Sequence, residues 1–317
     1  MWKFLQNVGE YFSSNYFDED FARKVQAKSG YDSDAVKDIQ QRMNGLKEPY
    51  YQFKQTLLDE RLRIRDRVNA GHRYHTQVLK ALGYDADRTS YGELFPLDDT
   101  HALPVRHILH RGTQVHLMIL EMHPMVRLSD DDEPDGLFEQ RYAANEEGQG
   151  PVKEQKYHRQ HWKDVFEVPD GVALSPAIIN KAVSELFLLE EERRPRFILL
   201  CAGNKYFLLE QEKWFRGSYL EFDIEELFAE SAVDRNVYGL FHLLLARELL
   251  APDAEQVLME QLEEDSHKSA YEVTRDLKEG VVNAVEMLAN EAVWFWKDQG
   301  QSTQSLDATA LKDDCLT

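Results

Sequence analysis

The sequence predicts an α+β fold, an α/β sandwich with helices on either side of a mixed sheet of about four to five strands. Three observations point there. Apolar residues recur at helical spacing through the first eighty positions. The pattern then turns to short apolar runs bounded by glycine and proline, first around residues 103–122 and again around 197–223. After Asp223 the helical period returns and holds almost to the end.

Taken in order, Asp18 or Asp20 caps a first helix that stops near Gly30, and Asp32, Ser33 and Asp34 cap a second over residues 35–46, which ends before Pro49. Residues 50–69 place Tyr51, Phe53, Leu57, Leu58, Leu62 and Ile64 among charges at helical intervals. A further helix runs over 72–82, with Val78, Leu79 and Leu82 on one side and Gly83 as its stop. Leu103 to His110 alternates apolar and polar side chains as one strand. Val115 to Met122 is almost wholly apolar, as a central strand is, and Pro124 ends it. Asp130–Gly136 and Asn145–Gly150 are breaker-rich and mark a long irregular insertion. Ser175 and Pro176 open a helix to Glu192. Two apolar runs, 197–202 and 205–209, flank Gly203-Asn204, the signature of a two-residue hairpin needing positive φ. A third run, 219–223, leads into an acidic helix start. Helices then follow over 224–230, 235–250, 255–265 and 266–296.

The chain has 317 residues, 43% hydrophobic and 30% charged, enough for a sizeable core and for two domains. Its formal net charge is −20, which repels nucleic acid except where basic residues cluster. The two cysteines, Cys201 and Cys315, allow neither a disulfide framework nor a zinc pattern and fit a reducing cytoplasm. The first residues lack the apolar stretch of a signal peptide. The most apolar helix, 238–250, is interrupted by His242, Arg247 and Glu248, so a cytoplasmic protein without a membrane span is expected.

The block Arg196–Phe228, with its hairpin, its Tyr219–Asp223 strand and its acidic helix start, resembles the N-terminal, non-methylating part of type IIG-like fused restriction–modification DNA adenine methyltransferases of the phage-defence kind. Ser266-His267-Lys268-Ser269-Ala270-Tyr271, Asp276–Val281 and Leu288–Ala292 extend the likeness, which covers most of residues 70–317. It implies a helical N-terminal segment (1–70), a nuclease-like α/β domain (71–223) with its insertion at about 127–170, and a helical connector (224–317). It also implies that the chain stops before the methyltransferase, where S-adenosylmethionine would bind. Neither the Asn/Asp-Pro-Pro-Tyr/Phe tetrapeptide nor a glycine-rich cofactor loop is in the sequence.

The nuclease-like half is expected to follow the PD-(D/E)xK pattern. There, an aspartate on one strand and a Glu-x-Lys on the next hold Mg²⁺ and assist the attacking water. Glu121-Met122-His123 supplies the glutamate but sets His123 where the lysine belongs, and Val105, Arg106 and His107 offer no aspartate. Asp99, with Asp98 in an earlier turn, is the nearest acidic candidate, so Glu121 and Asp99 are the metal-ligand candidates and Glu121 and His123 the catalytic ones, in a site expected to have decayed. A strand-end carboxylate without a catalytic task is the plainer reading of Glu121. A histidine–glutamate metal site near His107, Glu121 and His123 is the less favoured alternative. Lys153, Lys156, Arg159 and Trp162 form a basic, aromatic-interleaved segment able to contact DNA, or to sit solvated among the neighbouring acids.

Three functions follow. The first is a scaffold that positions DNA or defence-system protein subunits for the methyltransferase. The second is a stand-alone acidic interaction module engaging a basic partner. A live Mg²⁺-dependent nuclease is the minority alternative.

Overall fold

The computed structural model describes residues 2–59, 61–84, 92–122, 137–140, 168–251 and 257–300. It divides into two compact units, residues 1–262 and 263–317. The first unit holds the strands β1 (Leu5–Val8), β2 (Glu93–Pro96), β3 (His101–Val105), β4 (His107–Arg111), β5 (Gln114–Glu121), β6 (Ala173–Leu174), β7 (Phe197–Ala202), β8 (Lys205–Glu210) and β9 (Tyr219–Asp223). Its helices are α1 (Phe21–Ser29), α2 (Ser33–Asn44), α3 (Lys47–Leu58), α4 (Ile64–Ala81), α5 (Ile179–Phe187), α6 (Gln211–Trp214), α7 (Ile224–Glu230), α8 (Asn236–Leu245) and α9 (Arg247–Leu250). The last helix, α10 (Leu258–Asp298), supplies the described part of the second unit. No helix of the described residues is long and apolar enough to cross a membrane.

The α+β class is as expected, with more strands than expected. A six-stranded mixed sheet runs β1-β9-β8-β7-β5-β4, and a three-stranded one runs β2-β3-β6. In the large sheet only β5 and β7 pair in parallel, in register from Leu117↔Phe197 to Glu121↔Cys201. The chain between them includes α5, the helical crossover that a parallel pair needs. Strand alternation gives the sheet two apolar faces. Leu117, Ile119, Phe197, Leu199 and Cys201 join one core with residues of α1–α4, α7 and α8. Met118, Leu120, Ile198, Leu200 and Ala202 join a second core with α5 and the small sheet.

Several elements depart from the sequence reading. The N-terminal segment is not purely helical: β1 pairs antiparallel with β9, Leu5 opposite Phe222. The run 103–110 is two strands in different sheets, broken at Arg106, whose N–H donates to Ile119 O at 2.8 Å. Pro49 lies in the first turn of α3, where its missing N–H costs nothing. Ile64–Ala81 is one helix, so the expected boundary at residue 70 falls inside it. The crossover helix starts at Ile179, later than the Ser175 cap implied, and 258–298 is one helix instead of two. The insertion at about 127–170 lies almost wholly outside the described residues.

The Gly203-Asn204 hairpin is present. Gly203 has φ of 78° and Asn204 is not among the residues with positive φ, an arrangement that puts glycine at the first central position of the turn. Gly203→Ala is expected to lower unfolding free energy by about 1–2 kcal/mol, the cost of a Cβ in the left-handed region, as read by chemical denaturation.

Candidate functional site

Glu121 ends β5 on the face that packs against α4, and none of its side chain is exposed. Its Oε1 is 2.7 Å from Nδ1 of His72 and 2.7 Å from Nδ1 of His75, two α4 residues three apart and therefore on one helix face. Both imidazoles are buried as well. His75 is on the apolar side of α4 with Val78, Leu79 and Leu82, a spacing that carries it into the core.

The protons in this cluster follow from its partners. Gly203 N–H donates to His75 Nε2 at 2.7 Å, so that nitrogen bears a lone pair. The ring proton of His75 is therefore on Nδ1, where it is donated to Glu121. Burial disfavours the imidazolium and lowers the His75 pKa against the pull of the carboxylate. For Glu121, burial raises the pKa, but the facing His72 and the hydrogen bonds from both rings outweigh it and hold the carboxyl well below its ordinary range. Arg106 is a second buried charge. Its Nη2 donates to Thr76 Oγ1 at 2.9 Å, and its charge further depresses His75. Beside Glu121, the Cys201 thiol is pushed up by burial and by the carboxylate, so it is no nucleophile.

His72, His75 and Glu121 are the one group of three potential metal ligands among the described residues, with ligand atoms within 4.8 Å of one another. They do not fit a metal. A nitrogen ligand needs a bare lone pair, and the Nδ1 of His75 holds a proton because Nε2 is occupied by Gly203 N–H. Mg²⁺ needs several oxygen ligands and water, whereas this group offers one sealed carboxylate. Among the described residues, cavities of about 370, 320 and 530 Å³ are found, and none of these three is lined by Glu121 or by either histidine.

Of the residues singled out in the sequence, Glu121 alone stands in this cluster. Asp99 is exposed in the turn between β2 and β3 of the small sheet and is not in the ligand group. Its neighbour Asp98 caps that turn, accepting from Thr100 N and His101 N. His123, Lys153, Lys156, Arg159 and Trp162 lie outside the described residues. His107 stacks on Tyr84, and His116 donates from Nε2 to Leu250 O at 3.1 Å. The residues that matter and were missed are His72 and His75. Their signal was a His-x-x-His pair whose second member shares the apolar stripe of its helix.

Comparison with protein-family profiles, with curated proteins and with solved structures finds no match.

Two outcomes follow. Glu121→Ala leaves two imidazoles facing a buried gap and is expected to cost about 3–5 kcal/mol of stability in denaturant titration, the range for removing one partner of a buried pair. The second concerns acid. His242 is buried, and burial, with Arg42, lowers its pKa to about 4. Below pH about 6.5 the unfolded histidine takes up a proton that the folded one refuses, so stability falls with pH until about pH 4. His242→Leu is expected to flatten that slope by about 3 kcal/mol across the window, measured by unfolding at stepped pH.

Proposed function

We propose that this chain is the non-catalytic N-terminal scaffold of a DNA restriction–modification or phage-defence adenine methyltransferase, built on a nuclease-type sheet whose acid–acid–lysine chemistry has decayed. The observation that carries the reading is the state of Glu121. The PD-(D/E)xK pattern sets its metal-binding glutamate on a strand, and Glu121 is the strand-end carboxylate that would answer to it, yet it is buried and held by two histidine N–H groups. A carboxylate in that condition positions a helix; it does not hold Mg²⁺ beside an attacking water. The parallel β5–β7 pair, joined through α5, and the β4–β5 hairpin that presents Glu121 also support a nuclease-type core. The substrate chemistry then belongs to the methyltransferase part, with S-adenosylmethionine as its cofactor, and this chain's task is to position DNA or protein subunits.

Two measurements test it. The purified chain, incubated with supercoiled and linear DNA in Mg²⁺ or Mn²⁺, is expected to leave both intact; cleavage abolished by Glu121→Ala would return the live nuclease. Deleting this chain's coding region in its host is expected to abolish site-specific adenine methylation and phage restriction together. Unchanged methylation and restriction would leave the scaffold reading without support.

A further inference from the structure

The second unit carries an exposed apolar stripe along α10. From Tyr271 to Gly280 every residue of α10 is exposed, and exposed side chains continue to its end. Leu277 is 66% exposed, Val281 53%, Leu288 52% and Phe295 58%. These are not scattered. Ala270, Val273, Leu277, Val281, Ala284, Leu288, Ala292 and Phe295 follow one another at steps of three or four and lie on one side of the helix. The underlying repeat is eleven residues: Val273, Ala284 and Phe295; Leu277 and Leu288; Ala270, Val281 and Ala292. At that repeat an apolar line stays nearly straight along an α-helix. The opposite side carries Glu272, Asp276, Glu279, Asn283, Glu286 and Asn290, with the exposed Met287 and Trp294 beside them toward the C-terminal end.

The order of steps along the stripe reads the same from either end. Two copies laid antiparallel about a two-fold axis between Val281 and Ala284 therefore bring every stripe residue opposite another. Leu277 meets Leu288, Val281 meets Ala284, Val273 meets Ala292 and Phe295 meets Ala270. Three of these four pairings set a large side chain against alanine, the alternation by which facing helices interdigitate. Such a contact is isologous, and its symmetry closes it at two copies. The stripe is about 38 Å long at 1.5 Å per residue, and half the girth of a helix with its side chains is about 17 Å. Each copy thus buries roughly 650 Å², or about 1,300 Å² in the pair, inside the range of stable specific interfaces.

We propose that the partner of this helix is a second copy of the same chain, joined as an antiparallel pair through the Ala270–Phe295 stripe. The inference stands apart from the scaffold reading, because it uses no residue of the first unit.

The test is made on the full chain with Cys315→Ser, so that the one remaining native thiol is the buried Cys201. Light scattering and sedimentation are expected to give twice the mass of one chain, and Leu277→Asp with Leu288→Asp to give the mass of one chain with the far-ultraviolet dichroism unchanged. Leu277→Cys and Leu288→Cys, made in separately tagged chains, are expected to form a mixed disulfide when combined under mild oxidation. Neither is expected to cross-link with itself: in this register two copies of residue 277 are about 16 Å apart along the axis, beyond the reach of a disulfide. The cysteine exchanges are mild, so they decide the matter even where the aspartate variant fails to fold. A single-chain mass at the highest soluble concentration overturns the proposal. So does self-cross-linking of Leu277→Cys alone, which marks a parallel pair, or a two-chain mass that survives the aspartates.

Discussion

One buried oxygen ties the first unit together. Oε1 of Glu121 takes hydrogen bonds from two side chains of α4, so it fixes the rotation and height of that helix against the centre of the sheet. His75 then passes the constraint on, because its other nitrogen accepts from Gly203 at the turn of the β7–β8 hairpin. Helix, strand end and hairpin turn are thereby locked by two ring protons and one amide. An ionised carboxylate inside an apolar core is costly unless its partners are in place, so the arrangement tolerates little slippage of α4. The same fact separates structure from chemistry: each hydrogen bond that makes Glu121 tolerable in the core removes a lone pair or an approach that metal and water would need.

What was legible in the sequence was local. The hairpin at Gly203 declares itself through two apolar runs and a residue free to take positive φ. The acidic start of α7 is equally local, since Asp223 accepts from Glu225 N and Glu226 N, two and three residues on. The failures lie where partners are distant in sequence. Nothing in Leu5–Val8 marks a strand; it becomes one because the edge of β9 offers it a register. The alternation of 103–110 concealed a break that depends on the amide of Arg106 reaching Ile119 and its guanidinium reaching Thr76 on α4. The partners of Glu121 are 46 and 49 positions away. At that separation periodicity gives the face of each element but not which faces meet.

The extent of α10 was misread for another reason. Acidic residues followed by Ser266 look like a helix end and a new cap, yet the helix continues, with Glu264 and Lys268 paired at 2.7 Å one turn apart across the supposed break. Ser266 is buried there and does not cap. The sequence pattern breaks there, while the backbone carries on as one helix.

Charge then sets a condition on whatever the molecule binds. Each chain carries a net −20, so two copies repel one another over distances comparable to the screening length. A contact made by an uncharged stripe gains as salt screens that repulsion, and its apolar part is undiminished. Contact with phosphates behaves in the opposite sense, because binding releases counterions and weakens steeply as salt rises. The proposed pairing through α10 and any contact with DNA by basic residues would therefore be separable by ionic strength alone. The direction of each response reports which surface is at work, since no single patch of this acidic chain can show both.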